Sequence, residues 1–177
     1  MAVLGAGGWG TALAVHLARA GHNVQLWARD EELVSKMRST RTNTLYLPEV
    51  IFPKSLQVES SLEVVLSRAN LVVAALPSHG MREVLRKAAP MVPPSITFVS
   101  AAKGLEQGTL FRMSEVIEQE RGTSQSIAVL SGPSFAPELA RELPTAVSVA
   151  SREASTLARV QNDFRTSCFR LYGSDDI

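Results

Sequence analysis

The stretch Ala2–Ala14, which reads AVLGAGGWGTALA, decides the fold of this chain. A short apolar strand runs into a turn with the glycine spacing GxGxxG and then into a helix that we expect to begin at Thr11. In a dinucleotide-binding unit the first glycine permits a tight turn, the second lets the backbone approach a pyrophosphate, and the third lets the helix pack on the sheet. The helix N-terminus then faces the phosphates. The spacing therefore predicts cofactor binding through Gly5, Gly7 and Gly10.

The residues after this helix complete the βαβ unit that such a turn requires. Gly21 marks the end of the helix, and Asn23–Ala28 predicts a second strand. The residue after that strand contacts the adenosine ribose of the cofactor. Arg29 favours NADP because a guanidinium binds a 2′-phosphate, whereas Asp30 favours NAD because a carboxylate accepts a hydrogen bond from the 2′-hydroxyl. The sequence leaves both cofactors open.

The composition is that of an ordinary soluble globular protein. The chain has 177 residues, 45% of them hydrophobic, and its 18 basic residues nearly balance 17 acidic ones. This balance argues against binding of nucleic acid or of a membrane surface through bulk charge. No apolar run reaches the ~18 residues of a membrane span, and no charged leader precedes the first strand. We therefore expect a cytoplasmic protein without membrane insertion.

Cysteine and histidine indicate neither a disulfide nor a metal site. The lone Cys168 cannot form an internal disulfide, and its apolar neighbour predicts a buried strand residue without a catalytic role. His16, His22 and His79 lack the spacing of metal ligands, so we interpret them as structural or surface residues. We expect no bound metal.

Beyond the first unit the chain continues to alternate strands and helices, which predicts an α/β fold. The expected arrangement is a doubly wound, Rossmann-like, mostly parallel sheet with helices on both faces and additional C-terminal strands, forming one dinucleotide-binding domain over residues 1–177. The expected further strands are Leu56–Glu59, Asn70–Leu76, Ile96–Ser100, Ile127–Leu130, Thr145–Ala150 and Phe169–Tyr172. The expected helices cover residues 31–39, 61–68, 80–89, 111–121 and 153–164, with a short helix after Ser134.

Four turns follow strands of this sheet, at Gly5–Gly10, Pro77–Ser78, Lys103–Gly104 and Ser131–Ser134. Because the carboxyl ends of parallel strands share one edge, we expect these turns to converge on one crevice. Ser60 or Ser61 is expected to cap the helix that runs to about Arg68, and Ser78 and Ser134 are expected to cap the helices that follow them.

Several side chains at these turns permit two interpretations. Lys103 is either a solvated surface cation or a group that attracts a phosphorylated substrate and polarises a ketone oxygen. On sequence alone Trp9 could be a core anchor and Tyr46 a loop plug. Gly104 and Gly132 are most simply turn glycines.

Taken together, the motifs resemble one known family. In order, they are GAGGWGTALA, NTLYLP, LPSHGMR, AAKGLE, SGPSFAPELA, PTAVSVAS and FRLYGSDDI. This set resembles the N-terminal domain of NAD(P)-dependent glycerol-3-phosphate dehydrogenase over nearly the whole chain. The glycine spacing alone fits many dehydrogenases, whereas its combination with Trp9, KGLE and SGPSFA is specific.

The resemblance implies a role for individual residues. It implies that the dinucleotide contacts Gly8, Trp9, Tyr46 and Ala136, and that Arg29 lies at the adenosine ribose or its 2′-phosphate. It also implies that Lys103 borders both nicotinamide and substrate. Gly132 and Ser134 would border glycerol 3-phosphate.

The resemblance also implies what the full-length protein does. It would interconvert dihydroxyacetone phosphate and sn-glycerol 3-phosphate by hydride transfer, feed glycerophospholipid synthesis and form a homodimer. In this family the proton-transfer lysine lies in a second, helical domain, and no lysine follows Lys103 here. We therefore expect that lysine beyond Ile177, and we expect this chain to bind NAD or NADP with little turnover.

Two other functions stay open at this point. One is another two-domain dehydrogenase of the same architecture, acting on a different hydroxy acid or a sugar nucleotide. The other is a dinucleotide-binding module without catalysis.

Overall fold

Eight strands form one mixed sheet in the computed structural model, which describes residues 1–122 and 126–177. The strand order is β3-β2-β1-β4-β5-β6-β7-β8, and only the β6–β7 pair is antiparallel among these described strands. The first six strands have the doubly wound order, so the predicted Rossmann-like fold with extra C-terminal strands is confirmed. The strands are β1 Ala2–Leu4, β2 Val24–Trp27, β3 Leu56–Glu59, β4 Leu71–Ala74, β5 Thr97–Ser100, β6 Ile127–Ser131, β7 Thr145–Ala150 and β8 Phe169–Ser174.

Helices connect these strands and cover both faces of the sheet. The first begins earlier than predicted, because Gly7 occupies its N-cap position and the Gly7 carbonyl accepts a hydrogen bond from Thr11 N at 2.9 Å. Part of the glycine turn is therefore the first helical turn. The helices are α1 Gly8–Arg19, α2 Glu31–Thr40, α3 Leu62–Leu66, α4 Ser78–Ala88, α5 Met113–Arg121, α6 Ala136–Ala140 and α7 Ala154–Phe164, with a 3₁₀ turn at Ala89–Met91.

The core consists of two apolar layers, one on each face of the sheet. Successive strand residues point to opposite faces, so Val3 joins the layer under α1 and α7, while Leu4 joins the layer under α4 and α5. Both residues are fully buried. Coverage of both faces explains why the central strands are almost continuously apolar.

One of the two predicted helix caps near α3 and α4 is wrong. Ser78 is the first residue of α4, and Pro77 occupies the N-cap position without a side-chain hydrogen bond. By contrast, Ser61 caps α3, since its hydroxyl accepts a hydrogen bond from Val64 N at 3.3 Å.

Cys168 is not the buried strand residue that its apolar neighbour predicts. It is half-buried in the bend before β8. Its carbonyl accepts a hydrogen bond from Thr145 N at 2.8 Å, and its Sγ lies 3.3 Å from the Thr166 hydroxyl. The residue thus supports the start of the β7–β8 pair from outside the strand.

None of the helices formed by the described residues is long and apolar enough to span a membrane.

Candidate functional site

The fold itself requires two glycines of the turn after β1. Gly5 has a φ of +111°, and a Cβ there would lie 2.6 Å from the Ala75 carbonyl oxygen. A Cβ on Gly10 would lie 1.9 Å from the Gly5 carbonyl oxygen. Real Cβ atoms do not approach backbone this closely, so the close packing of α1 against β1 and β4 depends on both residues.

Gly7 differs from these two glycines. A Cβ there would meet nothing within 4 Å, and the residue lines a cavity. Its lack of a side chain is therefore not needed for packing of the chain. It instead leaves the backbone of the turn open to the cavity.

This cavity has a volume of about 680 Å³ and lies at the carboxyl ends of β1, β2, β4 and β5. A neighbouring cavity of about 340 Å³ extends towards the end of β6. Each of the four turns singled out in the sequence contributes to these cavities, so the expected convergence is observed. The two cavities share Trp9, Ala101, Ala102, Lys103 and Ser134.

The carboxylates that line the larger cavity have partners within the protein. Asp30 caps α2, and its Oδ1 accepts hydrogen bonds from Glu32 N at 2.9 Å and Leu33 N at 3.1 Å. Glu83 accepts a hydrogen bond from Lys87 Nζ at 2.7 Å, and this bond lowers the pKa of Glu83. Glu83 is therefore paired with a cation, whereas Asp30 uses its Oδ1 in the helix cap.

Arg29 and Lys103 are the cations that line the same cavity. Neither side chain forms an ion pair or hydrogen bond within residues 1–122 and 126–177. They follow β2 and β5, which are three strand spacings apart, or about 14 Å. On each side of the glycine turn the cavity thus has a positive charge that forms no ion pair with a described residue.

Tyr46 is not the plug of its loop. Its side chain is 52% exposed and lines the larger cavity, whereas the neighbouring Leu47 is 4% exposed and packs in the core. The Tyr46 carbonyl oxygen and the Cβ of Ala136 each lie 3.6 Å from the position of a Cβ on Gly8. Ala136 stands beside the turn but is not among the residues that line either cavity.

Trp9 is half-buried against the core, as a core anchor would be, and it also lines both cavities. Ser134 likewise faces both cavities but does not cap α6. Phe135 is the N-cap residue of α6, and the Ser134 hydroxyl instead lies 3.5 Å from the Gly132 carbonyl oxygen. Gly132 lines the smaller cavity and has a φ of +145°, so it is also a turn glycine.

The three histidines have different surroundings. His16 and His22 each place Nε2 against a backbone oxygen of α7, at 2.7 and 2.8 Å, and burial lowers the pKa of His16. They tie α1 to α7. His79 lines the larger cavity, so its interpretation as a plain surface residue is incomplete. No group of three or more His, Cys, Asp or Glu residues in the described part of the chain could hold a metal ion.

Sequence reasoning missed two groups that support the site. Asn43 is fully buried below the glycine turn. Arg82 binds Glu106, three residues after Lys103. An asparagine in a loop and an arginine on a helix are both common, so only the folded structure distinguishes them from surface residues.

Comparison with known proteins identifies the family. The family model described as NAD-dependent glycerol-3-phosphate dehydrogenase N-terminus matches residues 1–157. The chain belongs to this family. A glycerol-3-phosphate dehydrogenase (NAD(P)+) from Thioalkalivibrio sulfidiphilus is 44% identical over 177 residues, which is 100% of this chain and 53% of that protein. The chain thus spans about half the length of the curated relatives it matches.

Solved structures agree with this membership of the glycerol-3-phosphate dehydrogenase N-terminal family. The crystal structure of glycerol-3-phosphate dehydrogenase from Coxiella burnetii matches with a TM-score of 0.95 and 36% identity, over 99% of this chain and 54% of that one. A UDP-D-ManNAc dehydrogenase from Pyrococcus horikoshii has a TM-score of 0.74 and 14% identity, over 98% of this chain and 47% of that one. The latter similarity shows a shared fold alone. The family inferred from the motifs is confirmed.

Proposed function

We propose that this chain binds NAD or NADP in the cavity of about 680 Å³. The observation that carries the proposal is the glycine turn, open at Gly7, between the unpaired cations Arg29 and Lys103. The volume of this cavity falls within the range of about 300–1,000 Å³ typical of cofactor sites. An elongated anionic ligand would satisfy both cations at once.

The turn and the helix that follows it would hold the pyrophosphate. The first backbone N–H groups of α1 have no partner within the helix, and they carry its partial positive charge. Together with the open backbone at Gly7 they form an anion site of the kind that binds phosphates. Four further residues are assigned to the cofactor together with this turn. Gly8 and Trp9 lie within the turn, and Tyr46 and Ala136 lie beside it.

Arg29 is assigned to the adenosine ribose. Asp30 Oδ1 already accepts two backbone hydrogen bonds in the cap of α2. Arg29 forms no ion pair or hydrogen bond within the described residues, so its guanidinium is available to a 2′-phosphate. Both NAD and NADP remain in the proposal, and the titration of Arg29 variants described below separates them.

We further propose that the full-length protein interconverts dihydroxyacetone phosphate and sn-glycerol 3-phosphate. When bound, the nicotinamide supplies or accepts the hydride. Lys103 lines both cavities and supplies a cation that stabilises negative charge developing on the substrate carbonyl oxygen. Gly132 and Ser134 border the smaller cavity and are assigned to the phosphorylated triose.

The wider role of the protein follows from the same proposal. Residues 1–177 would be the dinucleotide-binding domain, and the full-length enzyme would be a cytoplasmic homodimer that supplies glycerophospholipid synthesis. The relatives are about twice as long as this chain, so the proton-transfer lysine is assigned to the part that this chain does not contain.

Calorimetric titration of the 177-residue chain with NADH and NADPH tests the proposal. We expect one site for at least one of the two cofactors, together with little or no reduction of dihydroxyacetone phosphate by the chain alone. Absence of binding to both cofactors would contradict cofactor binding. Rapid reduction by the chain alone would contradict the assignment of proton transfer to a second domain.

A further inference from the structure

A buried asparagine lies under the glycine turn. The Asn43 side chain is fully buried in the loop between α2 and β3. Its Nδ2 donates hydrogen bonds to the Ala6 carbonyl at 2.9 Å and to the Thr11 hydroxyl at 2.8 Å, and its Oδ1 accepts one from Tyr46 N at 3.2 Å. One side chain thus joins the turn, the first helix and the loop that carries Tyr46.

Its bond to Ala6 fixes the orientation of one peptide group. In a planar trans peptide the C=O and the following N–H point in opposite directions. The Ala6 carbonyl points into the protein, towards Asn43, so the Gly7 N–H points away from Asn43. Gly7 lines the larger cavity, whereas Asn43 does not. The amide therefore holds the Gly7 N–H on the side of the turn opposite Asn43.

Packing holds this peptide on one side only. Ala6 is 6% exposed and packs in the core, whereas a Cβ on Gly7 would meet nothing within 4 Å. A peptide beside a glycine has more conformational freedom than one between other residues. The buried amide adds a hydrogen bond that fixes the direction of the peptide carbonyl.

We propose that Asn43 is a positioning residue for the dinucleotide, which orients the Gly7 N–H towards the pyrophosphate and couples the glycine turn to the Tyr46 loop. This inference rests on the proposed cofactor site. Asn43 does not touch the ligand. It acts through the backbone of Ala6 and Gly7 and through the backbone of Tyr46.

Two variants separate these couplings. Asn43→Asp removes the amide donor to Ala6 but keeps an oxygen that can accept from Tyr46 N. Asn43→Ala removes all three hydrogen bonds of the side chain, to Ala6, Thr11 and Tyr46. Asn162→Asp is the matched control, since it makes the same chemical change at an exposed position of α7. Thermal unfolding establishes which variants are folded.

The first measurement is the preference of each variant for ADP-ribose, which contains the pyrophosphate, over adenosine, which does not. Ligand-detected NMR gives both dissociation constants. A partly unfolded variant weakens both apparent affinities by the same factor and leaves their ratio unchanged. Loss of the hydrogen bond from the Gly7 N–H to the charged pyrophosphate weakens ADP-ribose binding but not adenosine binding. We therefore expect the preference for ADP-ribose over adenosine to fall about tenfold in each Asn43 variant.

The second measurement is the Gly7 amide resonance of the ¹⁵N-labelled chain. On addition of ADP-ribose we expect this amide proton to move downfield in the wild type and in Asn162→Asp, because it donates to a phosphate oxygen. The shift should be lost in Asn43→Asp and Asn43→Ala.

The outcomes distinguish this inference from the proposed function. An unchanged ratio and an unchanged Gly7 shift in the Asn43 variants, with ADP-ribose binding intact in the wild type, would overturn the positioning role alone. A wild-type chain that binds neither ADP-ribose nor a reduced cofactor would overturn the cofactor site, and the positioning role with it.

Discussion

Arg82 binds both carboxylate oxygens of Glu106, with Nε 2.6 Å from Oε1 and Nη2 2.8 Å from Oε2. This bidentate pair ties α4 to the loop that begins at Lys103. Arg82 also donates to Glu120 at 2.8 Å, so the same guanidinium joins α4 to α5. A cluster of charges outside the cavity thus contacts the loop that follows Lys103.

The loop between residues 105 and 112 should therefore open when Arg82 is removed. Hydrogen bonds within it join Glu106 N to the Phe111 carbonyl at 2.9 Å and Leu110 N to the Glu106 carbonyl at 3.0 Å. In Arg82→Ala we expect the exchange of these amide hydrogens to accelerate at least about tenfold, since two charge-assisted bonds are lost. Hydrogen exchange followed by mass spectrometry measures this change.

Arg86→Ala is the control for that experiment. Arg86 lies one turn further along α4 and is 68% exposed, and it binds Glu120 but not Glu106. We expect exchange in the loop to stay close to that of the wild type. Equal acceleration in both variants would mean that Arg82 acts on the loop only through the packing of α4 on α5.

Glu106 should make stability depend on acid pH. The Arg82 guanidinium, with a smaller contribution from the Thr109 hydroxyl, lowers the pKa of Glu106 from 4.5 to about 2. A carboxyl with a lowered pKa in the folded state stabilises the chain above its unfolded pKa and loses that effect as pH falls towards the folded pKa. The contribution of Glu106 is therefore complete above pH 4.5 and lost between pH 4.5 and about 2.

Urea denaturation of the wild type and Glu106→Gln measures this contribution. The difference between their midpoints should be largest near neutral pH and should shrink below pH 4.5. Glu138→Gln removes a carboxylate that forms no ion pair in the described part of the chain, and it controls for the loss of one negative charge. A midpoint difference that stays constant from neutral pH to about pH 2.5 would contradict a role for the ionised pair.

Gly7→Ala should separate binding from folding. The space around Gly7 is open within the protein and its φ is −69°, so alanine fits the backbone. We expect a free energy of unfolding within about 0.5 kcal/mol of the wild type. The added methyl group occupies the space through which a pyrophosphate reaches the turn. Affinity for NADH or NADPH should fall at least about tenfold, as measured by calorimetry.

Gly10→Ala is the contrasting variant in the same turn. A Cβ at Gly10 would lie 1.9 Å from a backbone oxygen, so α1 must move away from the sheet. We expect destabilisation of at least about 2 kcal/mol in urea denaturation. If Gly7→Ala destabilised the chain as strongly as Gly10→Ala, the difference between an open and a packed glycine would be refuted.

Local signals in the sequence were enough for the fold. Glycine spacing identifies the turn because its geometry depends on adjacent residues, and the apolar run at residues 70–76 predicts β4 because both faces of that strand are covered. The local preference of serine for helix caps gave a wrong prediction at Ser134, because Phe135 is the N-cap residue of α6. Pro137 lies in the first turn of α6, where proline is tolerated, and it fixes the helix start at Ala136.

The supporting groups depend on pairs of residues that are distant in sequence. Asn43 reaches Ala6 across 37 positions, and Arg82 reaches Glu106 across 24. No periodicity or motif relates the members of such pairs. At Cys168 a local signal led to a wrong prediction. Its apolar neighbour suggests a strand, but the chain still bends there to enter β8.

We expect Arg29 to set the preference between the two cofactors, because a guanidinium binds a 2′-phosphate. Arg29 is exposed, lines the cavity and forms no ion pair within the described residues, whereas Asp30 is held in the cap of α2. We expect Arg29→Ala to weaken NADPH binding about 10-fold to 150-fold, the value of a lost charge-assisted hydrogen bond, and to leave NADH binding within about threefold. Lys36→Ala removes one exposed positive charge from α2, outside the cavity, and should change both affinities equally. Calorimetric titration of each variant with both reduced cofactors measures the effect. Equal losses of NADH and NADPH affinity in Arg29→Ala would show that this guanidinium does not bind the 2′-phosphate.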